Sequence, residues 1–181
     1  MKRIILSAAI AVMAVISATA QPRAVGARLG ASGFEASYQH TLGSNFIEAD
    51  LGLDYLGRPG FKAEALYNFV FARPAWTDRG TWGLYAGPGL ALGYVDDIVH
   101  WKTGNPGIDN TYRNWRGHDY GFMMSVTGQI GLEYTFWFPL QLSVDIRPYI
   151  GFHVSESGFG TGFYNNGLFG FIPTVSARYR F

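Results

Sequence analysis

The sequence contains no cysteine, so neither a disulfide scaffold nor a cysteine-ligated metal site is available to it. Charged residues are scarce, at 15% of the chain, and the formal net charge is only +1. Nothing in that balance indicates a nucleic-acid partner. After residue 20, no stretch approaches the ~20 consecutive apolar residues that a membrane-spanning helix requires. These absences argue against a disulfide-rich protein, a nucleic-acid-binding protein and a helical membrane protein.

Glycine and aromatic residues are abundant instead. The chain has 24 glycines, and Phe, Trp and Tyr together make up 17% of it. Combined with so few charges, this composition is unusual for a small soluble domain and is typical of strands that contact lipid.

The first twenty residues have the three parts of a secretory signal peptide. Lys2 and Arg3 form a positive start, residues 4–16 form a short apolar core, and residues 18–20 read Ala-Thr-Ala. We expect cleavage there, which leaves residues 21–181 as one domain. Fourteen Lys and Arg, less the two in the leader, leaves 12 against 13 Asp and Glu, a formal charge of −1. The alternative, an uncleaved anchor, is disfavoured because the apolar run is shorter than a bilayer span.

The remaining sequence is dominated by period-2 alternation of apolar and polar residues, which is the pattern of half-buried β-strands. It divides at turns such as Ser32-Gly33 and Gly57-Arg58-Pro59-Gly60. Eight segments result, and they cover residues 24–31, 34–41, 46–56, 61–72, 81–95, 120–136, 140–154 and 167–181. The longest unpatterned piece, residues 96–119, is polar and rich in Trp, Asn and Gly.

Eight sequential strands of this length predict an all-β fold, an eight-stranded antiparallel up-and-down transmembrane β-barrel. A closed barrel also satisfies every backbone group in hydrocarbon. The longer loops, residues 96–119 and 155–166, fall at the same end of such a barrel. Pro88, Pro148 and Pro173 would each remove a ladder hydrogen bond, and a bulge at any of them would reverse the alternation that follows.

Alternation alone does not say which face points outward. A soluble lipocalin-like barrel has an apolar lumen and a polar exterior, which is the reverse of a membrane barrel. The membrane version is favoured by aromatic residues near the strand ends. It is also favoured by the second face of the fifth segment, which is almost entirely small: Gly83, Gly87, Gly89, Ala91 and Gly93. We therefore expect the apolar faces to contact lipid and the polar faces to line the lumen.

The last segment keeps its alternation to the final residue, with Val175, Ala177, Tyr179 and Phe181 on one face. This ending resembles the terminal assembly signal of bacterial outer-membrane β-barrel proteins. The chain after residue 20 resembles the small eight-stranded group that includes OmpX and the OmpA membrane domain. Residues 85–89 and 145–148 are similar to outer-membrane barrel families of Bacteroidota-type bacteria. The resemblance implies the outer membrane of a Gram-negative-type bacterium, with membrane lipid and the barrel-assembly machinery as partners, but it implies no reaction.

The predicted lumen face is charged. It receives five cations and seven anions, namely Arg28, Lys62, Arg147, Arg178 and Arg180 with Glu35, Glu48, Asp50, Asp54, Glu64, Glu133 and Asp145. An eight-stranded barrel is only just wide enough for side chains to fill, and unpaired buried charges are costly. We therefore expect a salt-bridge network that fills the interior. The alternative use of the same residues is a proton or ion path.

His153 and Ser155 raise an enzymatic alternative, because a His-x-Ser pair on a barrel strand resembles the lipid A deacylases of the outer membrane. Their roles would be general base and nucleophile. Against this, the family's Asn after the serine is absent, and Glu156 lies on the wrong strand face to orient the histidine. Both side chains also share the lumen phase instead of facing lipid. We expect a non-catalytic protein with no cofactor and no metal site.

Residues 96–119 supply the other candidate site. They include His100, Trp101, Tyr112, Arg113, Trp115 and Arg116. Aromatic rings combined with arginine are typical of adhesive or sugar-binding surfaces, although an ordinary solvated loop accounts for them equally well. The predicted role is therefore envelope integrity, or binding of an extracellular protein or glycan. A secreted soluble barrel that binds an apolar ligand is the remaining alternative.

Overall fold

The computed structural model describes residues 23–54, 56–103, 113–158 and 160–181, with side chains for all of these except 101–103 and 113–115. The predicted signal peptide lies outside the described residues. Strands β1 to β10 span Arg23–Gly30, Gly33–Leu42, Asn45–Asp54, Gly60–Ala72, Thr81–Thr103, Arg113–Thr135, Leu140–Ile146, Tyr149–Ser155, Thr161–Phe163 and Thr174–Arg180. A 3-10 helix, Asn165–Phe171, precedes β10. Within the described ranges, no helix is both long enough and apolar enough to cross a bilayer.

The strands form one closed antiparallel barrel of eight. From β1 to β6 each strand pairs with the next along the chain, and β1 closes the barrel by pairing with β10. The seventh barrel strand is divided into β7 and β8, which both pair with β6, while the short β9 pairs with β8. The closing register runs from Ala24 opposite Arg180 to Leu29 opposite Val175. The predicted all-β, eight-stranded antiparallel barrel is therefore confirmed.

The alternation of the sequence becomes the two faces of the barrel. Exposed apolar side chains cover the outward face, for example Leu51, Leu90, Val126, Ile150 and Val175. The inward face is polar and charged, and its side chains are buried. Val126 is 57% exposed, whereas Arg147 is 0% exposed. This polarity is inverted relative to a soluble globular protein, whose charged groups face solvent.

Strands β5 and β6 are each 23 residues long and project beyond the other strands. Their ladder continues from Val95 opposite Gly121 to Thr103 opposite Arg113. The predicted loop over residues 96–119 is therefore wrong for 96–103 and 113–119, while residues 104–112 lie outside the described ranges. Alternation of apolar and polar residues is the signal that predicts a half-buried strand. It is missing here because the chain reads Asp96-Asp97-Ile98-Val99, and Asp96, Asp97 and Val99 are all buried.

The two ends of the barrel differ in the length of their connections. The projecting β5–β6 hairpin marks the long-hairpin end. The connections at residues 43–44, 73–80 and 136–139 mark the short-turn end.

The last two barrel strands differ from the continuous segments that the sequence predicts. Residues 167–171, predicted as strand, belong to the 3-10 helix instead. Arg147 donates its backbone N–H to the Gly170 carbonyl oxygen at 2.7 Å. A Cβ at Gly170 would lie 1.8 Å from the Arg147 carbonyl oxygen, so only glycine allows this close approach. The helix is thereby held against the break between β7 and β8.

The three prolines leave the alternation intact. Pro148 lies in the break between β7 and β8, and Pro173 lies just before β10. Both positions avoid the ladder, because proline has no N–H to donate. Pro88 lies within β5, opposite Gly128. The inward and outward assignments after each proline are therefore the same as before it.

A glycine on β6 makes room for a large inward-facing side chain on β5. Tyr85 is fully buried and packs edge-on against Phe46, with ring centroids 5.1 Å apart. Its partner in the register is Gly131, where a Cβ would lie 2.5 Å from the Tyr85 hydroxyl oxygen. In so narrow a barrel, one tyrosine requires glycine on the neighbouring strand.

Gly131→Ala is expected to lower the free energy of unfolding by about 1–3 kcal/mol, because the added methyl group overpacks against Tyr85. Chemical unfolding followed by tryptophan fluorescence measures the change. Gly128→Ala is the matched control, since this glycine of the same strand faces outward and its Cβ would meet no atom within 4 Å. Equal losses in the two variants would contradict the packing of the interior.

Candidate functional site: the charge network inside the barrel

The interior of the barrel is lined by charged side chains. Of the twelve residues predicted for the lumen, Arg180 is half-buried at the short-turn end and the other eleven are buried. Those eleven are Arg28, Glu35, Glu48, Asp50, Asp54, Lys62, Glu64, Glu133, Asp145, Arg147 and Arg178. Strand alternation places them on one face, and closure of the barrel brings together residues that are far apart in sequence.

Arg147 is the centre of this network. It lies at the break between β7 and β8, and its guanidinium donates to Glu48 and Asp50 of β3 and to Glu64 of β4. The distance from Nη1 to Glu64 Oε1 is 2.7 Å. Neither β3 nor β4 is a neighbour of β7 in the sheet, so Arg147 reaches across the lumen. A planar guanidinium with five N–H donors can satisfy several carboxylates at once.

Arg28 forms a second contact between distant strands. Its Nη1 donates to Glu35 Oε2 on β2 at 2.9 Å, and its Nη2 donates to Asp145 Oδ1 on β7 at 2.8 Å. All three side chains are buried. The pair to Asp145 spans the strand β10 that closes the barrel.

Lys62 connects Glu35, the partner of Arg28, to the carboxylates around Arg147. Its ammonium nitrogen lies 2.9 Å from Glu35 and 3.5 Å from Asp54. It also lies 4.2 Å from the centroid of the Tyr149 ring, a distance at which a cation is attracted to the aromatic face. The Tyr149 hydroxyl in turn donates to Glu64 at 3.1 Å. The two clusters are therefore one connected network.

Arg178 extends the network toward the short-turn end. Its Nη2 donates to Glu48 at 2.9 Å, so that Glu48 is shared with Arg147. Its other donors reach the hydroxyls of Ser37 at 2.8 Å and Ser143 at 2.9 Å. Arginine therefore uses neutral acceptors where no second carboxylate is close.

The buried set contains more anions than cations, because four cations face seven carboxylates. Glu35, Asp50 and Glu64 each offer an oxygen within 4.8 Å of the others, which is the one group of potential metal ligands among the described residues. Lys62 already contacts Glu35, and Arg147 contacts the other two. The chain's own cations thus stand where a metal ion would bind.

Glu133 and Arg180 lie outside the ion-paired part of the network. Glu133 accepts a hydrogen bond from Gln141 at 2.6 Å. Arg180 lines a cavity at the short-turn end together with Arg23 and Arg73. Within the described residues, neither Glu133 nor Arg180 has a salt-bridge partner.

His153 and Ser155 both face inward, but in the structure they are not hydrogen-bonded to each other. His153 Nε2 lies 3.1 Å from the Val95 carbonyl oxygen, and the Ser155 hydroxyl donates to Asp119. Asp119 also accepts from the backbone N–H and the hydroxyl of Ser157, at 3.0 Å and 2.8 Å. Desolvation raises the pKa of Asp119, but these hydrogen bonds outweigh it and hold the pKa below its ordinary value. The contacts order the turn after β8.

Sequence reasoning missed a cap at the long-hairpin end, formed by residues 164–166. Tyr164 is fully buried, and its hydroxyl donates to Asp54 at 2.7 Å. The Asp97 carboxylate accepts the backbone N–H groups of Asn165 and Asn166, at 2.6 Å and 3.2 Å. The available signal was the Tyr-Asn-Asn triplet within a glycine-rich segment, because asparagine favours turns that bond to nearby backbone.

The predicted loop surface lies mostly on paired strands. His100 and Arg116 are exposed and stand opposite each other on the projecting hairpin. Trp101, Arg113 and Trp115 lie on the same two strands, and Tyr112 lies outside the described ranges.

Comparison with known proteins identifies no relative: no protein-family model, no curated protein and no solved structure matches the chain. The function must therefore be argued from the geometry. That geometry consists of an interior of connected ion pairs within an apolar outer surface.

Arg147→Met is expected to destabilise the barrel by about 3–5 kcal/mol, because it leaves Glu48, Asp50 and Glu64 buried without their shared cation. Urea unfolding of the refolded protein measures the loss. Arg79→Gln is the control: this exposed side chain lies over the Trp137 ring and contributes at most about 0.5 kcal/mol. A fully stable Arg147→Met would show that the network does not hold the interior together.

Proposed function

We propose that the protein is a non-catalytic barrel of the bacterial outer membrane, with its strands in lipid and its interior filled by its own side chains. The inverted polarity of the barrel carries this proposal, since large apolar side chains cover the outside and charged ones are buried inside. In water, that exterior would be a continuous apolar patch far larger than the few hundred Å² that soluble monomers normally expose. A lipid environment accounts for both faces.

The apolar outward face forms a belt around the barrel. Aromatic side chains at both ends of this apolar belt support the proposal. Toward the long-hairpin end, Tyr94 and Tyr120 stack with ring centroids 6.0 Å apart. Toward the short-turn end, Trp82 packs on Tyr134 at 4.6 Å. Twelve residues along β5 separate Trp82 from Tyr94, and about 3.3 Å per residue at a tilt of about 40° gives about 30 Å. That distance matches the hydrocarbon thickness of a bilayer.

A secreted lipocalin-like barrel is the other reading that an eight-stranded barrel admits. Such a protein needs an apolar cavity for its ligand and a polar exterior. Here the corresponding space contains Arg28, Arg147 and Arg178 with their carboxylate partners. The charged interior favours the membrane barrel over the soluble one.

The same interior favours a structural role for its charges over an ion path. Arg28, Arg147 and Arg178 are each at most 1% exposed, and each donates from its terminal nitrogens to side chains of other strands. A hydrolytic role is disfavoured because the Ser155 hydroxyl donates to Asp119 and His153 is directed to the Val95 carbonyl. The histidine that would act as general base therefore does not contact the serine, and the His–Ser pair of such a hydrolase is not formed.

The resemblance to small outer-membrane barrels supplies the remaining parts of the proposal. Residues 1–20 would be the cleaved export signal, and β10 the strand recognised by the barrel-assembly machinery. The signal residues Val175, Ala177 and Tyr179 of β10, and Phe181 directly after it, are exposed. The β5–β6 hairpin would project from the cell surface, where it supports the envelope or binds a protein or glycan.

Cell fractionation with boiled and unboiled gel lanes tests the proposal. We expect the protein in outer-membrane vesicles, with an unboiled band that migrates differently from the boiled one, because a closed barrel resists detergent until it is heated. A soluble lipocalin-like protein would instead be recovered in the aqueous periplasmic fraction. That recovery would overturn the membrane assignment.

A further inference from the structure

The short-turn end of the barrel contains a cavity that the ion-paired network does not use. Its volume is about 190 Å³, which is room for several water molecules at about 30 Å³ each. The cavity is bounded by the starts of β1, β3, β5 and β7 and by the ends of β2, β6 and β10. It therefore opens at the end of the barrel opposite the projecting hairpin.

Three arginines line this cavity, namely Arg23, Arg73 and Arg180, and Glu133 is the single carboxylate among its described lining residues. Glu133 is buried, and its Oε2 accepts a hydrogen bond from Gln141. Among the described residues, no carboxylate lies within salt-bridge distance of Arg73 or Arg180. The cavity is therefore cationic, although the interior immediately beyond it contains an excess of carboxylates.

The other lining groups are suited to an anion. The lining residues include Thr41, Ser44, Thr81 and Thr135, whose hydroxyl groups are of a type that can donate to an anion. The Arg73 side chain is exposed, and its hydrogen bond within the described part of the chain is a long one, from Nη2 to the Ser44 carbonyl oxygen at 3.3 Å. Guanidinium groups bind carboxylate and phosphate oxygens in pairs, which makes arginine the preferred residue for such oxyanions.

We propose that this cavity is a binding site for a small oxyanion, a phosphate or carboxylate group, held chiefly by Arg73 and Arg180. The site faces the side of the membrane that carries the short turns, which is the periplasm if the membrane proposal holds. It requires only the folded barrel, so its test does not depend on the membrane assignment. A purely structural role, in which the arginines offset the negative interior, would stabilise the barrel without any dependence on an added anion.

The test is a titration of the full-length refolded protein with inorganic phosphate and, separately, with acetate. Thermal unfolding and isothermal calorimetry are followed at constant ionic strength, with chloride as the balancing ion, because screening alone shifts surface electrostatics. We expect saturable binding of one or both anions. Arg73→Gln and Arg180→Gln should each weaken it about tenfold or more, since each removes a charge-assisted hydrogen bond.

Arg79→Gln is the matched control, because Arg79 lies in the same turn as Arg73 but does not line the cavity. It should bind the anion as the natural protein does. Phosphate binding without acetate binding identifies a phosphoryl site, and the reverse identifies a carboxylate site. The proposal is overturned if neither anion binds at millimolar concentration. It is also overturned if Arg73→Gln and Arg180→Gln change only the midpoint of thermal unfolding measured without added anion and leave anion binding unchanged. Loss of binding in Arg79→Gln to the same extent would overturn it as well.

Discussion

The contact of Arg147 with three carboxylates is the interaction on which the rest of the interior depends. Desolvating four charges is expensive, and buried ion pairs stabilise only when their remaining hydrogen bonds are satisfied. The narrow lumen of an eight-stranded barrel lets side chains of opposite strands touch, and it brings Arg147 to Glu48, Asp50 and Glu64. Arg147, Arg28, Lys62 and Arg178 thereby join six of the eight barrel strands through their centre. The barrel is held by its backbone ladder around the wall and by charge across the lumen.

Closure of the ladder explains how the same strands tolerate an apolar outside. Once β1 pairs with β10, the barrel wall has no open edge, so its backbone groups need no water. The side chains then determine which surroundings each face of the barrel suits, and strand alternation places the apolar side chains on the outward face. The two ends of the barrel differ. The short-turn end has the cationic cavity, and the long-hairpin end has the cap bound by Asp97. The short-turn end carries guanidinium groups, and the long-hairpin end carries carboxylates.

Alternation predicted the barrel, its first four strands and the inward face, because each of those strands separates two different surroundings. It failed at two places, for different reasons. In the projecting hairpin, residues 96–99 do not alternate between apolar and polar, so residues 96–103 resemble a loop in the sequence although they form part of β5. Residues 167–171 alternate like a strand, yet Gly170 lets them form a helix against Arg147. The sequence also identified the charged set but not its partners, because the pairing of Arg28 with Asp145 depends on closure.

Cysteine labelling tests lipid contact by the outward face most directly, because the natural chain has no cysteine. Single cysteines replacing Leu90 and Val126, in the middle of the belt, would be compared in lipid nanodiscs with one replacing Arg79 in a turn. We expect a charged, water-soluble maleimide to label Arg79→Cys and spare the two belt positions, which an apolar maleimide should label. Equal labelling of all three by the charged reagent would place the belt in water and contradict a membrane-embedded barrel.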